Sequence, residues 1–422
     1  MLKKHPKGMV SLFFTEMWER FGFYTLMAIL TLYMEHEFKW DDSQKGDVYG
    51  LFLGIVYFFP LLGGWLGDKI LGQITSVWVG AILMITGYVL LGLSNASLVT
   101  FFFAGLFLVA LGTGIFKVNI SVLIGNLYRD LPHLKDAGFN IYYMGVNIGA
   151  TIAPLAATAI SIVYGSYNIS FFAAAFGMFL CTIIFQAGRK NLLLADTKST
   201  PQNFTHINKE MPRSEELQRI VSLVILFMIA VFFWIGFYQN GFALTLFAQR
   251  STVVSDILRP ETYQFFNPFF IIVTTPLMLG YFAKLNAKGK EPITPVKIFA
   301  GMLIMGVSMI VMVFASLQGG NSDTNIMSPG WLIGTYFFVT LAEIMISPLG
   351  LSYVSKVAPP KIQGLMMGGW FAATALGSYG SGLIGKYYSD FAHHEYFLIL
   401  TGLLLFSAIL VLLFMKKLKR FS

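Results

Sequence analysis

Long apolar segments recur along almost the whole chain, and short breaks that contain charged residues, glycine or proline separate them. Their lengths match the roughly 20 residues that a helix needs to cross the hydrocarbon core of a bilayer. Because backbone amides in hydrocarbon have no water to bond, we expect helices rather than open strands. The pattern predicts twelve membrane-spanning helices at about residues 11–34, 47–68, 74–94, 98–127, 138–163, 168–187, 219–248, 263–283, 295–317, 329–355, 363–386 and 395–415.

The composition excludes an ordinary soluble enzyme. Hydrophobic residues make up 56% of the 422 residues and charged residues only 12%, whereas about 25% are charged in a typical soluble domain. No predicted span contains a nucleophile with a base partner or a set of metal ligands, so we predict a protein that is not an enzyme and uses no cofactor or metal. The single cysteine, Cys181, cannot form an intramolecular disulfide.

The basic residues predict the orientation of the chain. If the chain starts in the cytoplasm, 22 of the 29 basic residues lie on the inner face, five lie on the outer face, and Arg20 and Lys117 lie within spans. This asymmetry predicts that both termini are cytoplasmic. The first apolar segment is too long for a signal-peptide core, so we expect a retained first helix. With its short outer loops, the chain is typical of a bacterial inner-membrane protein.

The charge balance also bears on partners. Because 29 basic residues stand against 21 acidic ones, we expect contact with anionic membrane lipids. Nucleic acid is not expected as a partner, since the positive charges are scattered through short loops. A monomer is the expected oligomeric state, although no residue pattern specifies it.

The longest inner connection divides the predicted spans into six and six. Residues 189–218 are polar and contain two prolines, which predicts a cytoplasmic linker between an N-terminal bundle, 1–188, and a C-terminal bundle, 219–422. This organisation is that of the major facilitator superfamily, whose members bind substrate near the middle of the membrane. The loop from Gly64 to Gly72 resembles the G-x-x-x-D-R/K-x-x-G loop of that superfamily. We therefore expect an all-α polytopic membrane protein with the major facilitator fold, twelve helices in two six-helix bundles.

Five ionisable residues lie well inside the predicted spans: Glu16, Glu19, Arg20, Lys117 and Glu343. Each costs about 2.5–3.5 kcal/mol at the centre of a membrane helix, so each needs a partner or access to water. Glu16 and Glu19 share a helix face with Arg20, and Lys117 is a candidate partner from the fourth span. Three acids against two bases leave one carboxyl free to carry a proton. The alternative is a static ion-pair cluster that joins the first and fourth spans.

Several segments resemble motifs of the proton-dependent oligopeptide transporter family. The first span contains Thr15–Tyr24, which is similar to the family signature E-x-x-E-R-F-x-Y-Y. Further matches follow in order along nearly all spans, at Phe116–Ser121, Phe139–Gly149, Phe266–Pro268, Glu343–Ser352, and Lys356, Pro359, Gly364, Met366, Met367, Trp370 and Phe371. On these motifs, the chain resembles a member of that family.

This resemblance implies import of di- and tripeptides together with protons by alternating access. Small peptides or peptide-like molecules and protons are thus the expected ligands, with the proton as coupling ion. Carried over by position, the proton-coupling residues are Glu16, Glu19, Arg20 and Lys117. The implied substrate-binding residues are Glu343, Asn267, Asn147, Lys117, Tyr24, Tyr57, Trp234, Tyr238, Gln239 and Trp370. Single aromatic or asparagine residues among them have packing or helix-to-helix hydrogen bonding as the alternative role.

Two positions depart from the family pattern. Met27 stands where many members have an arginine that binds the peptide carboxylate, and Tyr238 replaces the glutamate of the seventh-span F-E-Q motif. Lys117 is then a candidate for the carboxylate. The loop 189–218 is also too short for the two extra helices of many bacterial members.

These departures leave two other functions open. One is transport of a non-peptide solute, or of one that lacks a free carboxylate, with weak or no proton coupling. The other is a membrane sensor or scaffold that binds a ligand without moving it, which the short tails and the absence of a signalling domain in this sequence make less favourable.

Overall fold

A computed structural model describes residues 5–196 and 212–421, apart from the side chains of Pro132, Asp136 and Pro360. The first half contains α1 (Gly8–Phe38), α2 (Asp42–Leu66), α3 (Gln73–Leu93), α4 (Val99–Leu127), α5 (Lys135–Tyr164) and α6 (Asn168–Gly188). The second half contains α7 (Arg213–Phe237), α8 (Ala243–Arg250), α9 (Phe266–Ala287), α10 (Thr294–Gln318), α11 (Pro329–Val357), α12 (Gln363–Gly385), α13 (His393–Leu413) and α14 (Met415–Lys419). Within the described residues, extended pairing is limited to one bridge between Thr252 and Met327.

Every predicted span falls on a long helical segment, so the prediction of a helical polytopic membrane protein is confirmed. Ten described segments are long and apolar enough to cross a membrane. The two other long helices are α1, with 31 residues, and α12, with 23. The charges of Glu16, Glu19 and Arg20 lower the hydropathy of α1, and several glycines lower that of α12.

The seventh span differs from the unbroken helix predicted over residues 219–248. Its helix α7 begins earlier, at Arg213, and the acidic Glu215 and Glu216 lie in its first turn, where negative charge stabilises a helix N-terminus. A 3-10 turn, Tyr238–Gly241, then separates α7 from α8. A Cβ atom on Gly241 would lie 2.4 Å from the hydroxyl of Tyr49, so this turn requires glycine.

Packing divides the chain into two compact units. Of the described residues, the first comprises 5–39 and 55–196, and the second comprises 40–54 and 212–421. The first turns of α2 therefore pack with the second unit. The bundle boundaries predicted from the sequence, 1–188, 189–218 and 219–422, stay a prediction, and residues 197–211 of the linker lie outside the described residues.

In the first unit, α1 packs on α5 and α6, and α3 packs on α4 and α6. Opposed glycines bring α3 and α4 into backbone contact: Gly80 faces Gly112, and Gly87 faces Gly105. A Cβ atom on any of the four would come within 2.8 Å of the opposite carbonyl oxygen. Small residues allow this close packing, which stabilises helix pairs where lipid provides no hydrophobic driving force.

In the second unit, α10 packs on α11 and α13, α7 packs on α12, and α9 packs on α11. The first turns of α2 contribute Gly46 and Gly50, which approach the backbone of Gly382 in α12. These contacts position the helices that carry the charged and aromatic candidates of this unit.

Candidate functional site

The candidate residues form two groups, one in each unit. In the first unit, α1 places three charged side chains together. Arg20 donates hydrogen bonds from Nε and Nη2 to both carboxylate oxygens of Glu19, and its Nε lies 3.4 Å from Oε1 of Glu16. The exposed fractions of Glu16 and Glu19 are 0%, and that of Arg20 is 3%. The Arg20 guanidinium therefore lies near two buried carboxylates but forms close hydrogen bonds only with Glu19.

Glu16 is the less compensated of the two acids. Neither of its oxygens meets full hydrogen-bond geometry within the described residues, although the hydroxyl of Tyr142 and the ammonium of Lys117 lie close enough to act on its charge. Tyr142 comes from α5, which packs closely on α1. The two helices can approach because Gly149 has no side chain, since a Cβ atom there would lie 2.1 Å from the carbonyl oxygen of Met17. A buried carboxylate with one long ion-pair contact is costly to keep charged.

Lys117 lies half-buried on α4, near this group. Its Nζ is 5.7 Å from the centre of the Tyr57 ring, a geometry typical of a weak cation–π contact. In the part of the chain that the structure describes, no salt bridge to Lys117 is found. Two residues later, Asn119 donates a hydrogen bond of 2.9 Å to the carbonyl of Gly63, which joins α4 to α2. The ammonium is thus held beside the acids without being neutralised by any one of them.

The two remaining candidates of the first unit differ in their contacts. Tyr24 lies one turn after Arg20 on α1 and is half-buried. Asn147, on α5, is 4% exposed and donates a hydrogen bond of 2.8 Å to the carbonyl of Tyr143 in its own helix. Its amide nitrogen therefore has a partner, and its carbonyl oxygen is the atom to consider for a ligand.

In the second unit, the centre of the candidate group is Glu343 on α11. Asn267 Nδ2 donates to Glu343 Oε2 at 2.8 Å and lies 3.1 Å from Thr340 Oγ1. Thr340 in turn donates to the carbonyl of Tyr336 at 2.8 Å. Among the described residues, no basic side chain forms a salt bridge with Glu343. The half-buried carboxylate therefore has an orienting amide but no cation.

Aromatic side chains occupy the same unit. Trp234 stacks on Tyr238, with ring centres 5.6 Å apart, and both are nearly buried. The carbonyl of Tyr238 accepts a hydrogen bond of 2.8 Å from Tyr49. Trp370 packs against Gly350, which lies two helical turns after Glu343 on α11. The indole nitrogen of Trp234 is buried without a hydrogen-bond partner among the described residues.

Gln239 has packing partners at both ends of its amide, and its assignment to the substrate-binding residues stays a prediction. Its Nε2 donates to the carbonyl of Ser381 at 3.1 Å, and its Oε1 accepts from Tyr396 at 2.9 Å. The side chain is 0% exposed. Both ends of the amide are therefore used in joining α12 and α13 to the turn after α7.

A sequence model described as PTR2, the POT family, matches residues 74–193 and 189–399, which is most of the chain. The chain belongs to the POT family. An uncharacterized transporter, YclF of Bacillus subtilis strain 168, is 31% identical to this chain. The alignment covers 90% of this chain and 89% of YclF. A dipeptide and tripeptide permease A of Pectobacterium carotovorum is 29% identical, and the alignment covers 92% of this chain and 83% of the permease.

A solved structure of a POT peptide transporter variant in complex with alafosfalin has a TM-score of 0.89 to this POT family member. The two are 29% identical, and the match covers 99% of this chain and 96% of the other. This likeness confirms the predicted major facilitator fold of twelve helices. Because these relatives are transporters, the prediction that the POT family member is not an enzyme is also confirmed.

Two residues of this POT family member were not assigned a role from the sequence. Tyr142 approaches Glu16, and it lies within the quoted segment Phe139–Gly149, so that motif was the available signal. Thr340 lies three residues before Glu343, on the same face of α11, and this spacing was the signal for its contact with Asn267. Groups of three or more metal-ligating side chains are not found in the described part of the chain.

Proposed function

We propose that this POT family member is a proton-coupled symporter that imports di- and tripeptides by alternating access. The observation that carries this proposal is Glu343, a half-buried carboxylate that accepts a hydrogen bond from Asn267 and has no salt bridge among the described residues. A buried charge of this kind is costly, and a ligand cation compensates it. The peptide permease among the relatives supports the substrate class.

The second unit offers groups for the amino end of a peptide. The ammonium of a dipeptide would pair with Glu343, while Asn267 holds the carboxylate in one orientation. Trp234, Tyr238 and Trp370 supply aromatic surface for side chains. A few polar groups in an apolar aromatic setting are typical of small-molecule sites, because the polar groups fix the ligand's orientation.

The carboxylate end of the peptide needs a cation, and Lys117 is the candidate in the first unit. It is half-buried, its ammonium lies over the Tyr57 ring, and no salt bridge to it is found among the described residues. Met27, where many relatives have arginine, is 5% exposed and has no charge to offer. Asn147 and Tyr24 are further candidates for polar contacts with the peptide backbone.

Proton coupling is assigned to the α1 group. Because Arg20 bonds to both oxygens of Glu19, we assign the transported proton to Glu16, whose ion-pair contact with Arg20 is longer, at 3.4 Å. Protonation from outside, peptide binding and release of both inside would complete the cycle. One charge that moves through about 100 mV yields roughly 2.3 kcal/mol, which suffices for substantial accumulation.

The distribution of basic residues supports a bacterial inner-membrane location with both termini in the cytoplasm. No cofactor is included in the proposed cycle, and a monomer is the proposed transporting unit.

Uptake of a labelled dipeptide into proteoliposomes tests this function. We expect accumulation when the outside is acidic and the inside electrically negative, and equilibration without accumulation when an ionophore removes both gradients. A matched control is Gly402→Ala, because nothing lies within 4 Å of a Cβ atom added there, so folding and uptake should stay unchanged. Gradient-independent accumulation would contradict the proton coupling, and complete lack of dipeptide uptake would contradict the substrate class.

A second candidate function is transport of an organic solute that lacks a carboxylate. The observation that favours it is the apolar, buried Met27 together with Tyr238, which stacks on Trp234 rather than offering a charge. A thermal-shift screen separates the two functions. Stabilisation by dipeptides, and not by amines without a carboxylate, supports peptide transport, whereas the opposite result supports the alternative.

A further inference from the structure

A polar cavity lies at one end of the second unit, away from Glu343. It has a volume of about 490 Å³ and is lined at the start of α7 and at the C-terminal segment, by Pro212, Ser214, Glu215, Gln218, Arg219, Arg420 and Phe421. Because α7 and α13 are membrane-spanning helices that begin and end here, this cavity lies where lipid headgroups meet water.

Two guanidinium groups converge on this cavity. The Arg219 guanidinium carbon lies 4.9 Å from the centre of the Phe421 ring, and that of Arg420 lies 5.6 Å from the same centre. Glu215 accepts hydrogen bonds of 2.9 and 2.8 Å from Arg219 and is the acidic side chain of the lining. The cavity therefore has one cation more than anions, and a bound anion would stabilise it.

Arg219 still has donors to offer. Its Nε and Nη2 donate to Glu215, and its Nη1 donates to the carbonyl of Val357 at 3.2 Å. A guanidinium has five N–H donors, so three are used in the described part of the chain and two remain. Arginine donors of this kind bind phosphate oxygens in pairs.

The C-terminal segment is held in place beside the cavity. Leu418 is 1% exposed, and its carbonyl accepts a hydrogen bond of 2.8 Å from Tyr353 on α11. The side chains that flank it are exposed and basic: Lys416, Lys417, Lys419 and Arg420. Four basic residues and no acidic one within Lys416–Arg420 form a positive surface that a packed backbone positions. Each basic residue near an anionic membrane surface contributes about 1 kcal/mol of attraction.

Apolar side chains lie next to these charges. Leu217 on α7 is 62% exposed and Leu413 on α13 is 70% exposed, and α7 and α13 are neighbours. In a membrane-spanning helix such leucines contact acyl chains. The cavity lining is polar and positively charged, and exposed leucines lie next to it. Such a surface matches an amphiphilic anion, which has a charged headgroup and an apolar chain.

We propose that this cavity binds the phosphate headgroup of an anionic phospholipid, with Arg219 and Arg420 as its ligands and Leu217 and Leu413 beside the acyl chains. Glu215 restricts binding by competing for Arg219. The site is separate from the candidate transport residues, so this proposal does not depend on the substrate.

Native mass spectrometry of the full chain tests the proposal. The purified protein is exchanged into equal amounts of phosphatidylglycerol and phosphatidylcholine. We expect preferential retention of phosphatidylglycerol, and a loss of this preference by about tenfold in the double variant Arg219→Gln, Arg420→Gln, since two charged hydrogen-bonding groups are removed. Arg420→Gln alone, at an exposed position, should give part of the loss without affecting the fold.

Two further variants make the test specific. Glu215→Gln should strengthen retention of phosphatidylglycerol, because it frees donors of Arg219. The double variant Lys288→Gln, Lys290→Gln removes two exposed charges after α9 and should leave retention unchanged. Equal losses in both double variants would show a general charge effect and overturn the site.

Inorganic phosphate distinguishes a lipid from a free anion. We expect millimolar phosphate to leave phosphatidylglycerol bound, since the acyl chains contribute to its affinity. Displacement of the lipid by phosphate, or retention that is unaffected by Arg420→Gln, would overturn the proposal.

Discussion

Asn267 donates a hydrogen bond of 2.8 Å to Glu343 and thereby joins α9 to α11 in the second unit. The bond engages one carboxylate oxygen of Glu343 and fixes the orientation of the group, and no hydrogen bond to the other oxygen is found among the described residues. An amide donor orients a carboxylate without neutralising its charge. The carboxylate of Glu343 therefore still needs a cation to compensate its charge.

Glu343→Gln should weaken binding of peptides with a free amino group. The variant keeps the shape of the side chain and its contact with Asn267 but loses the charge, and loss of one partner of a desolvated charge pair costs about 2 kcal/mol or more, roughly thirtyfold in the dissociation constant. Isothermal titration of a dipeptide and its N-acetyl form provides the measurement. The N-acetyl peptide is the control, because its affinity should not change. A similar loss for both peptides would contradict the role of Glu343.

Asn267→Ala should weaken peptide binding less, by about 1 kcal/mol, since it removes one hydrogen bond to a retained carboxylate. The matched control is Thr340→Val, because Thr340 contacts the same amide but donates its own hydroxyl to the carbonyl of Tyr336. Dissociation constants of one dipeptide for both variants give the comparison. A larger effect of Thr340→Val would mean that Thr340, rather than Asn267, orients Glu343.

The lengths of the helices follow from the sequence, because an apolar segment must match the bilayer. The interruption at Tyr238–Gly241 does not, since the turn packs against Tyr49, a residue that is distant in the sequence. The role of Gln239 also depends on distant residues, Ser381 and Tyr396. Sequence motifs place such residues in a family, whereas only the fold shows whether their side chains point to a neighbour or to a ligand.

The α1 cluster shows the same division between spacing and geometry. The i, i+4 spacing predicted that Glu16 pairs with Arg20, and the two groups do lie 3.4 Å apart. The closer partner is Glu19, the adjacent residue, because the guanidinium turns toward it along the helix. Spacing identified the three residues, but side-chain conformation determines which acid is compensated.

The unequal contacts of Arg20 with the two acids predict different results for variants of Glu16 and of Arg20. Glu16→Gln should abolish peptide accumulation driven by a pH gradient while exchange of peptide across the membrane continues, because the group that carries the proton is lost. Arg20→Gln should lower stability instead, by about 3–5 kcal/mol, since two buried carboxylates lose their cation. Proteoliposome uptake with and without a gradient, and the melting temperature, give the two measurements. Full gradient-driven accumulation by Glu16→Gln would mean that another acid carries the transported proton.

An ion-pair network in the second unit should contribute strongly to stability. Asp42 is 5% exposed, accepts two hydrogen bonds of 2.8 and 2.9 Å from Arg250, and lies 2.7 Å from Lys45 Nζ. Asp42→Asn leaves two cations without their anion, so we expect a loss of about 3 kcal/mol and a lower melting temperature.

The control for this network is Lys386→Gln. Its ion pair with Asp47 has a length of 3.1 Å, but the Asp47 side chain is 55% exposed. Exposed pairs contribute about 0–1 kcal/mol, so the melting temperature should change little. Equal effects of Asp42→Asn and Lys386→Gln would contradict the importance of burial here.

Gly382 should tolerate no side chain. A Cβ atom there would lie 2.3 Å from the carbonyl oxygen of Gly46 and 2.4 Å from the Cα atom of Gly50, so α12 and the first turns of α2 would have to separate. Because the obstacles are backbone atoms and cannot rotate away, we expect Gly382→Ala to destabilise the protein by about 1–3 kcal/mol. Gly402→Ala in α13 is the matched control, since nothing lies within 4 Å of its added Cβ atom, and it should be neutral or slightly stabilising. Melting temperatures in one detergent compare the two, and an unchanged value for Gly382→Ala would show that this close helix crossing is absent from the protein in solution.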